Sequence, residues 1–209
     1  PHVSDMAFIA PIFVDGKLIG FSGSCAHKAD IGGMNPGSTS ANSTEIYHEG
    51  LVLPPVKISA EGNYDEDLER LILTNSRQPE LVRGDVRAQI AATEMGVTRM
   101  QDHSTRFGTD TVMDSFAAIL KSAADEMQAA ISALPDGETS ADGYMDDDGV
   151  EMDKGVYFAV TIIKKGDDIT FDFSKSQPQA KGPINLRPSM VEACVFYSLI
   201  GCLGHNMQF

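Results

Sequence analysis

Two stretches of the chain repeat one pattern, His2-Val3-Ser4-Asp5 and His27-Lys28-Ala29-Asp30. Imidazole nitrogen and carboxylate oxygen are donors that hold divalent first-row metals, and a catalytic site uses two or three protein ligands and leaves positions open for water and substrate. On an extended strand a separation of three residues sends two side chains to opposite faces, so either pair reaches one ion only where its strand ends and bends. A plainer reading stands beside this one, because most His and Asp residues are solvated or make structural hydrogen bonds. Spacing alone leaves both open.

The surrounding elements narrow the choice. Met6 to Val14 is apolar, Asp15-Gly16 is a two-residue turn signal, and Leu18 to Gly23 is apolar again, which predicts a β-hairpin. Counting outward from the turn puts Asp5 opposite Cys25 or Ala26 and His2 a little beyond His27, so the strand ends bring His2 and Asp5 near His27. Asp30 to Asn42 is rich in Gly, Ser, Asn and Pro and reads as a long irregular loop. Glu45 to Ile58, with Pro54-Pro55, is expected to be extended. Helices are expected over Asn63 to Thr74, Gly84 to Arg99, Asp110 to Leu134 and Pro188 to Leu203. Tyr144 to Gly149 is short and acidic, and Gly155 to Ile163 with Asp168 to Phe173 flank Lys165-Gly166-Asp167 as a second hairpin. Hairpins and mixed sheet packed with helices make an α+β chain, read as one domain over residues 1–209.

Composition excludes some partners. Sixteen Lys and Arg against 30 Asp and Glu give a formal charge of -14, which repels phosphate backbones and anionic membranes. No apolar run approaches the roughly 20 residues of a membrane span, and the start lacks a signal-peptide pattern. Cys25, Cys194 and Cys202 are an odd number without framework spacing, so free thiols and a reducing cytoplasm are expected. The start at Pro1 and the last residues, His205 to Phe209, directly after an apolar helical stretch, read as truncation at both ends.

Other candidates carry weaker signals. Arg83, Asp85, Arg87 and Gln89 could clamp a carboxylate, but an ion-pair face is the simpler reading. Asp146-Asp147-Asp148-Gly149 resembles the start of a calcium loop without its distal Glu, which suggests a solvated turn. His48 and Glu49 are neighbours that an extended segment would point apart. His103 and His205 stand alone, Cys25 reads as a small buried strand residue, and no Gly-rich turn precedes a Lys-Ser or Lys-Thr able to cradle phosphate.

His27-Lys28-Ala29-Asp30-Ile31-Gly32-Gly33, Pro36-Gly37-Ser38, Ser43-Thr44-Glu45-Ile46-Tyr47 and Glu49-Gly50-Leu51 follow one another in order. After them come Pro54-Pro55-Val56, Arg83-Gly84-Asp85-Val86-Arg87-Ala88-Gln89-Ile90-Ala91-Ala92, Phe171-Asp172-Phe173-Ser174 and Gly182-Pro183-Ile184-Asn185. On these blocks the chain resembles the hydantoinase B/oxoprolinase family. The resemblance implies the B-type subunit of an N-methylhydantoinase or 5-oxoprolinase, which opens a cyclic amide at the expense of ATP. The alternatives are a subunit of an acetone or acetophenone carboxylase, and a non-catalytic assembly subunit. It further implies a hetro-oligomer in which an A-type partner handles ATP and Mg, and a divalent ion such as Zn or Mn held by His2, Asp5 and His27. Asp30 then orients His27 or acts as general base.

Overall fold

A computed structural model describes residues 2–38 and 40–203; Pro1 and His205, used above, lie outside the described residues. The fold is α+β, with four helices and small antiparallel sheets. It divides into two compact units, residues 1–113 and 114–209.

In the first unit, β1 (Asp5–Val14) and β2 (Lys17–His27) form the expected hairpin. Asp15 and Gly16 have φ of 49° and 74°, the pair of left-handed residues that a two-residue hairpin turn needs. The register differs from a simple count outward. Phe13 faces Leu18 but Ile12 faces Gly20, so Ile19 is an extra residue and a β-bulge offsets every later pair by one. Asp5 therefore faces His27, not Cys25 or Ala26.

The 45–58 segment is not uniformly extended, since Ile46–Glu49 forms a 3-10 turn. A two-residue hairpin, β3 (Ser59–Ala60) and β4 (Asn63–Tyr64), leads into α1 (Glu66–Thr74). The Asp65 carboxylate caps α1 by accepting from the N–H groups of Asp67 and Leu68. Helix α2 (Pro79–Phe107) starts earlier and ends later than the expected Gly84 to Arg99. Pro79 sits in its first turn, where a missing N–H costs little, and Gly84 and Gly96 do not interrupt it. Ile72 and Leu73 of α1 and Val82 and Val86 of α2 form the core, with Met6 and Phe8 of β1 packed against it. One face of the hairpin is thereby fixed to α2.

Helix α3 (Thr109–Ser132) leads into the second unit. There β5 (Gly137–Met145), β6 (Val156–Lys165) and β7 (Asp168–Asp172) form an antiparallel sheet in sequential order. Strand β5 was hidden in the sequence because it is a mostly exposed edge with no apolar alternation. The acidic turn after it is not wholly solvated: Asp148 is buried, and its carboxylate accepts from the N–H groups of Val150, Glu151, Lys181 and Gly182. The first two bonds close the turn on itself and the last two tie it to the 180–185 loop, which precedes α4 (Pro188–Leu203). No described helix is long and apolar enough to cross a membrane.

Candidate metal centre

The bulge puts His27 beside Asp5 at the open end of the hairpin, and a tight turn brings His2 over them. In that turn the Asp5 N–H donates to the His2 carbonyl at 3.0 Å, and the His2 N–H donates to Asp5 Oδ2 at 3.3 Å. His2 Nε2 lies 3.1 Å from His27 Nδ1. Asp5 Oδ1 lies 3.6 Å from His2 Nε2 and 3.4 Å from His27 Nδ1.

Three atoms with these separations lie on a circle of radius about 2.0 Å, which matches typical metal–nitrogen and metal–oxygen distances of roughly 2.0–2.2 Å, so these residues could hold one ion between them. The donor set, two imidazoles and a carboxylate, suits a first-row divalent metal. All three side chains are partly exposed, so water or substrate can approach. Burial raises the Asp5 carboxyl, but the His2 N–H, the His2 charge and the His27 ring outweigh it and hold the group below its usual range.

Asp30 does not join this cluster. Its side chain is 1% exposed. Oδ1 accepts from the N–H groups of Gly32 at 3.0 Å and Arg77 at 2.9 Å, and Oδ2 accepts from the Gly37 N–H and Arg77 Nη1, each at 2.9 Å. Burial pushes this carboxyl up, yet the N–H groups of Arg77, Gly32 and Gly37 and the Arg77 side chain draw it down to about 2. A carboxylate so fully bonded and so acidic is a poor proton acceptor, and its bonds run to the loop rather than to His27. Its work is to fold residues 30–38 around itself.

The remaining candidates have local partners. Arg83 pairs with Glu80, and Arg87 grips Glu69 through two bonds, so both guanidinium groups already hold carboxylates of this chain. His48 contacts Glu45 and the Thr44 N–H, His103 stacks on Phe107, and Cys25 is exposed rather than buried.

Three groups that sequence spacing did not bring to the centre help build it. Lys28, the residue after His27, is fully buried, and its ammonium donates to Gln89 Oε1 and the Ala26 carbonyl. Gln89 donates to the carbonyls of Met6 and Ser24, so α2 grips both strands near their site end. Glu49 Oε2 accepts from the Val3 N–H at 3.2 Å. No periodicity signals Glu49; only the fold places it beside the turn.

A family model described as Hydantoinase B/oxoprolinase matches residues 1–209. The caprolactamase subunit beta of Pseudomonas jessenii is 34% identical over 71% of this chain and 26% of its own length. The acetophenone carboxylase delta subunit of Aromatoleum aromaticum is 26% identical over 99% of this chain and 30% of its own length. The crystal structure of the ATP-dependent caprolactamase from Pseudomonas jessenii superposes with a TM-score of 0.86 at 29% identity, covering 96% of this chain and 34% of that one. The chain spans between 16% and 34% of the length of the curated relatives it matches.

Proposed function

The chain belongs to the hydantoinase B/oxoprolinase family, and from that premise we propose that it serves as the B-type part of an ATP-dependent enzyme that opens a cyclic amide. In this reading His2, Asp5 and His27 hold a divalent metal, and the protein works in a hetero-oligomer whose A-type partner handles the nucleotide. The observation that carries the metal reading is the meeting of two imidazoles and one carboxylate at 3.1–3.6 Å from one another. Relatives that carry the names caprolactamase subunit, hydantoinase subunit and 5-oxoprolinase are all named for cyclic amides, which fits a substrate with a polarisable ring carbonyl.

The ion would supply Lewis acidity, polarising that carbonyl or making bound water acidic enough to react near neutral pH. The chain's own groups set the stage for this. Asp5 takes the His2 N–H on one oxygen and turns the other toward the two imidazoles, and so offers an anionic donor beside them. Residues 31–38 are kept in one conformation by Asp30 and Arg77, which steadies the loop that follows the His27 ligand. With Asp30 committed to that loop, we assign no general base within the chain.

A ketone carboxylase is the second reading, favoured by the match of the acetophenone carboxylase delta subunit along 99% of the chain. The deciding experiment takes the full-length protein with its A-type partner and supplies ATP with a lactam, a hydantoin, 5-oxoproline, or a ketone plus bicarbonate. ATP-coupled release of a ring-opened acid, lost together with bound metal in Asp5→Ala and His27→Ala, is the expected result. A carboxylated product instead moves the assignment to the second reading. Full activity and full metal content in both variants would sink the site.

A further inference from the structure

We propose that Glu49 is a positioning residue for the His2–Asp5–His27 centre, setting the shape of the turn that carries two of the three donors. The inference rests on the metal reading above.

Only Val3 and Ser4 separate His2 from Asp5, so the placement of the two side chains depends on how those two residues are held. Ser4 is held from one side. It is fully buried, and its carbonyl accepts from the Lys28 N–H at 2.8 Å and the Met6 N–H at 3.1 Å. Val3 is held from elsewhere, by Glu49 Oε2 at 3.2 Å. Glu49 lies 46 residues away in sequence, so this bond ties the ligand turn to a separate part of the fold. A carboxylate receiving a backbone N–H makes a stronger bond than a neutral acceptor does.

Glu49 is itself well anchored. It ends the 3-10 turn Ile46–Glu49, whose His48 carbonyl accepts from the Met34 N–H at 2.9 Å, while the Leu51 N–H donates to the Ile31 carbonyl at 2.9 Å. A Cβ on Gly33 would lie 2.5 Å from the His48 oxygen, so the two segments approach as closely as backbone allows. The 31–34 segment is in turn held by Asp30 and Arg77. A continuous run of bonds thus joins the buried Asp30 to the turn of the ligands, with Glu49 as the last link.

Groups that hold metal ligands in place typically change metal affinity by roughly 10–100-fold when removed. The test uses the full-length protein with its partner, stripped of metal and titrated with Mn(II), read by dissociation constant and by the Mn(II) electron paramagnetic resonance spectrum. Glu49→Ala is expected to weaken binding by roughly 10–100-fold and to alter the spectrum. Glu49→Gln keeps an acceptor oxygen of the same reach and is expected to lose less than about fivefold. In the metal-free protein, exchange of the Val3 amide is expected to quicken in Glu49→Ala while the urea midpoint stays at the wild-type value. Wild-type Mn(II) affinity in Glu49→Ala overturns the proposal, as does an affinity loss accompanied by an equal fall in urea midpoint for both variants. Absence of Mn(II) binding by the wild type overturns the metal reading itself and this proposal with it.

Discussion

Asp5 and Asp30 hold the same place in two copies of one pattern, each three residues after a histidine, and the fold treats them in opposite ways. Asp5 is 27% exposed, takes one backbone N–H at 3.3 Å and turns its other oxygen to two imidazoles. Asp30 is 1% exposed, and both its oxygens are filled by three backbone N–H groups and a guanidinium. The cause lies in the backbone that follows. After Asp5 the chain enters β1, whose N–H groups serve the ladder with β2. After Asp30 it passes through Gly32 and Gly37 at φ of 90° and 83°, and these residues curl their N–H groups back onto the carboxylate. A carboxylate with spare acceptor capacity at an exposed strand end can bind; one enclosed by donors can only hold structure.

If that contrast is right, the two aspartates separate under mutation. Asp30→Ala leaves the Arg77 guanidinium and three N–H groups without their acceptor, and we expect a loss of about 3–5 kcal/mol in urea unfolding. Arg77→Ala removes the cation that also reaches the carbonyls of Gly32, Asn35 and Gly33. Arg77 is 43% exposed, so the smaller loss of about 2–3 kcal/mol is expected. Equal stability of either variant and wild type would erase the distinction drawn between the two carboxylates.

Acid sharpens the same comparison. The Asp30 carboxyl is lowered from 3.8 to about 2 in the folded chain. A depressed folded value means the folded state binds the proton less readily than the unfolded state. The resulting stability is therefore present above about pH 4 and is lost as pH falls toward 2. After allowance for solvent screening it amounts to about 1–2 kcal/mol. Urea midpoints at pH 5 and pH 2.5 should fall less in Asp30→Asn than in wild type. Asp148 is also lowered to about 2, by the N–H groups of Glu151 and Val150 against burial and with help from Gly182 and Lys181, so some acid sensitivity remains in that variant. An identical fall in both proteins would mean that Asp30 is not a source of it.

How much of this could be read beforehand depends on which interactions are local. The hairpin was legible because Asp15-Gly16 names its own turn, and the helices were legible from apolar spacing. Register was not, because nothing in the apolar run around Ile19 signals a bulge, and one residue of slip decides what faces Asp5. The bonding of Asp30 was not legible because its partners are glycines whose N–H groups carry no side-chain signature and an arginine 47 residues away. Glu49 was passed over for the same kind of reason, since its partner is the backbone of Val3. Residue types announced the donors, whereas long-range backbone bonds chose among them.

The smallest expected effect is the one that best isolates Asp5. In metal-free protein Asp5→Ala removes one 3.3 Å bond to the His2 N–H and two exposed contacts with imidazoles. Exposed pairs of this kind are worth little, so a change of under about 1 kcal/mol in urea unfolding is expected. Added metal should separate the proteins. An ion that binds only the folded state stabilises it by RT ln(1 + [L]/Kd), about 2.7 kcal/mol at a concentration 100 times Kd. Wild type should therefore gain stability as Mn(II) or Zn(II) is added, and Asp5→Ala, left with two imidazoles and no anionic donor, should gain far less. A large loss in the metal-free variant would make Asp5 a structural carboxylate like Asp30. Equal gains with metal would instead mean that the ion binds without it. Only the combination of a quiet metal-free protein and a lost metal response fits a carboxylate that the fold has kept free to bind.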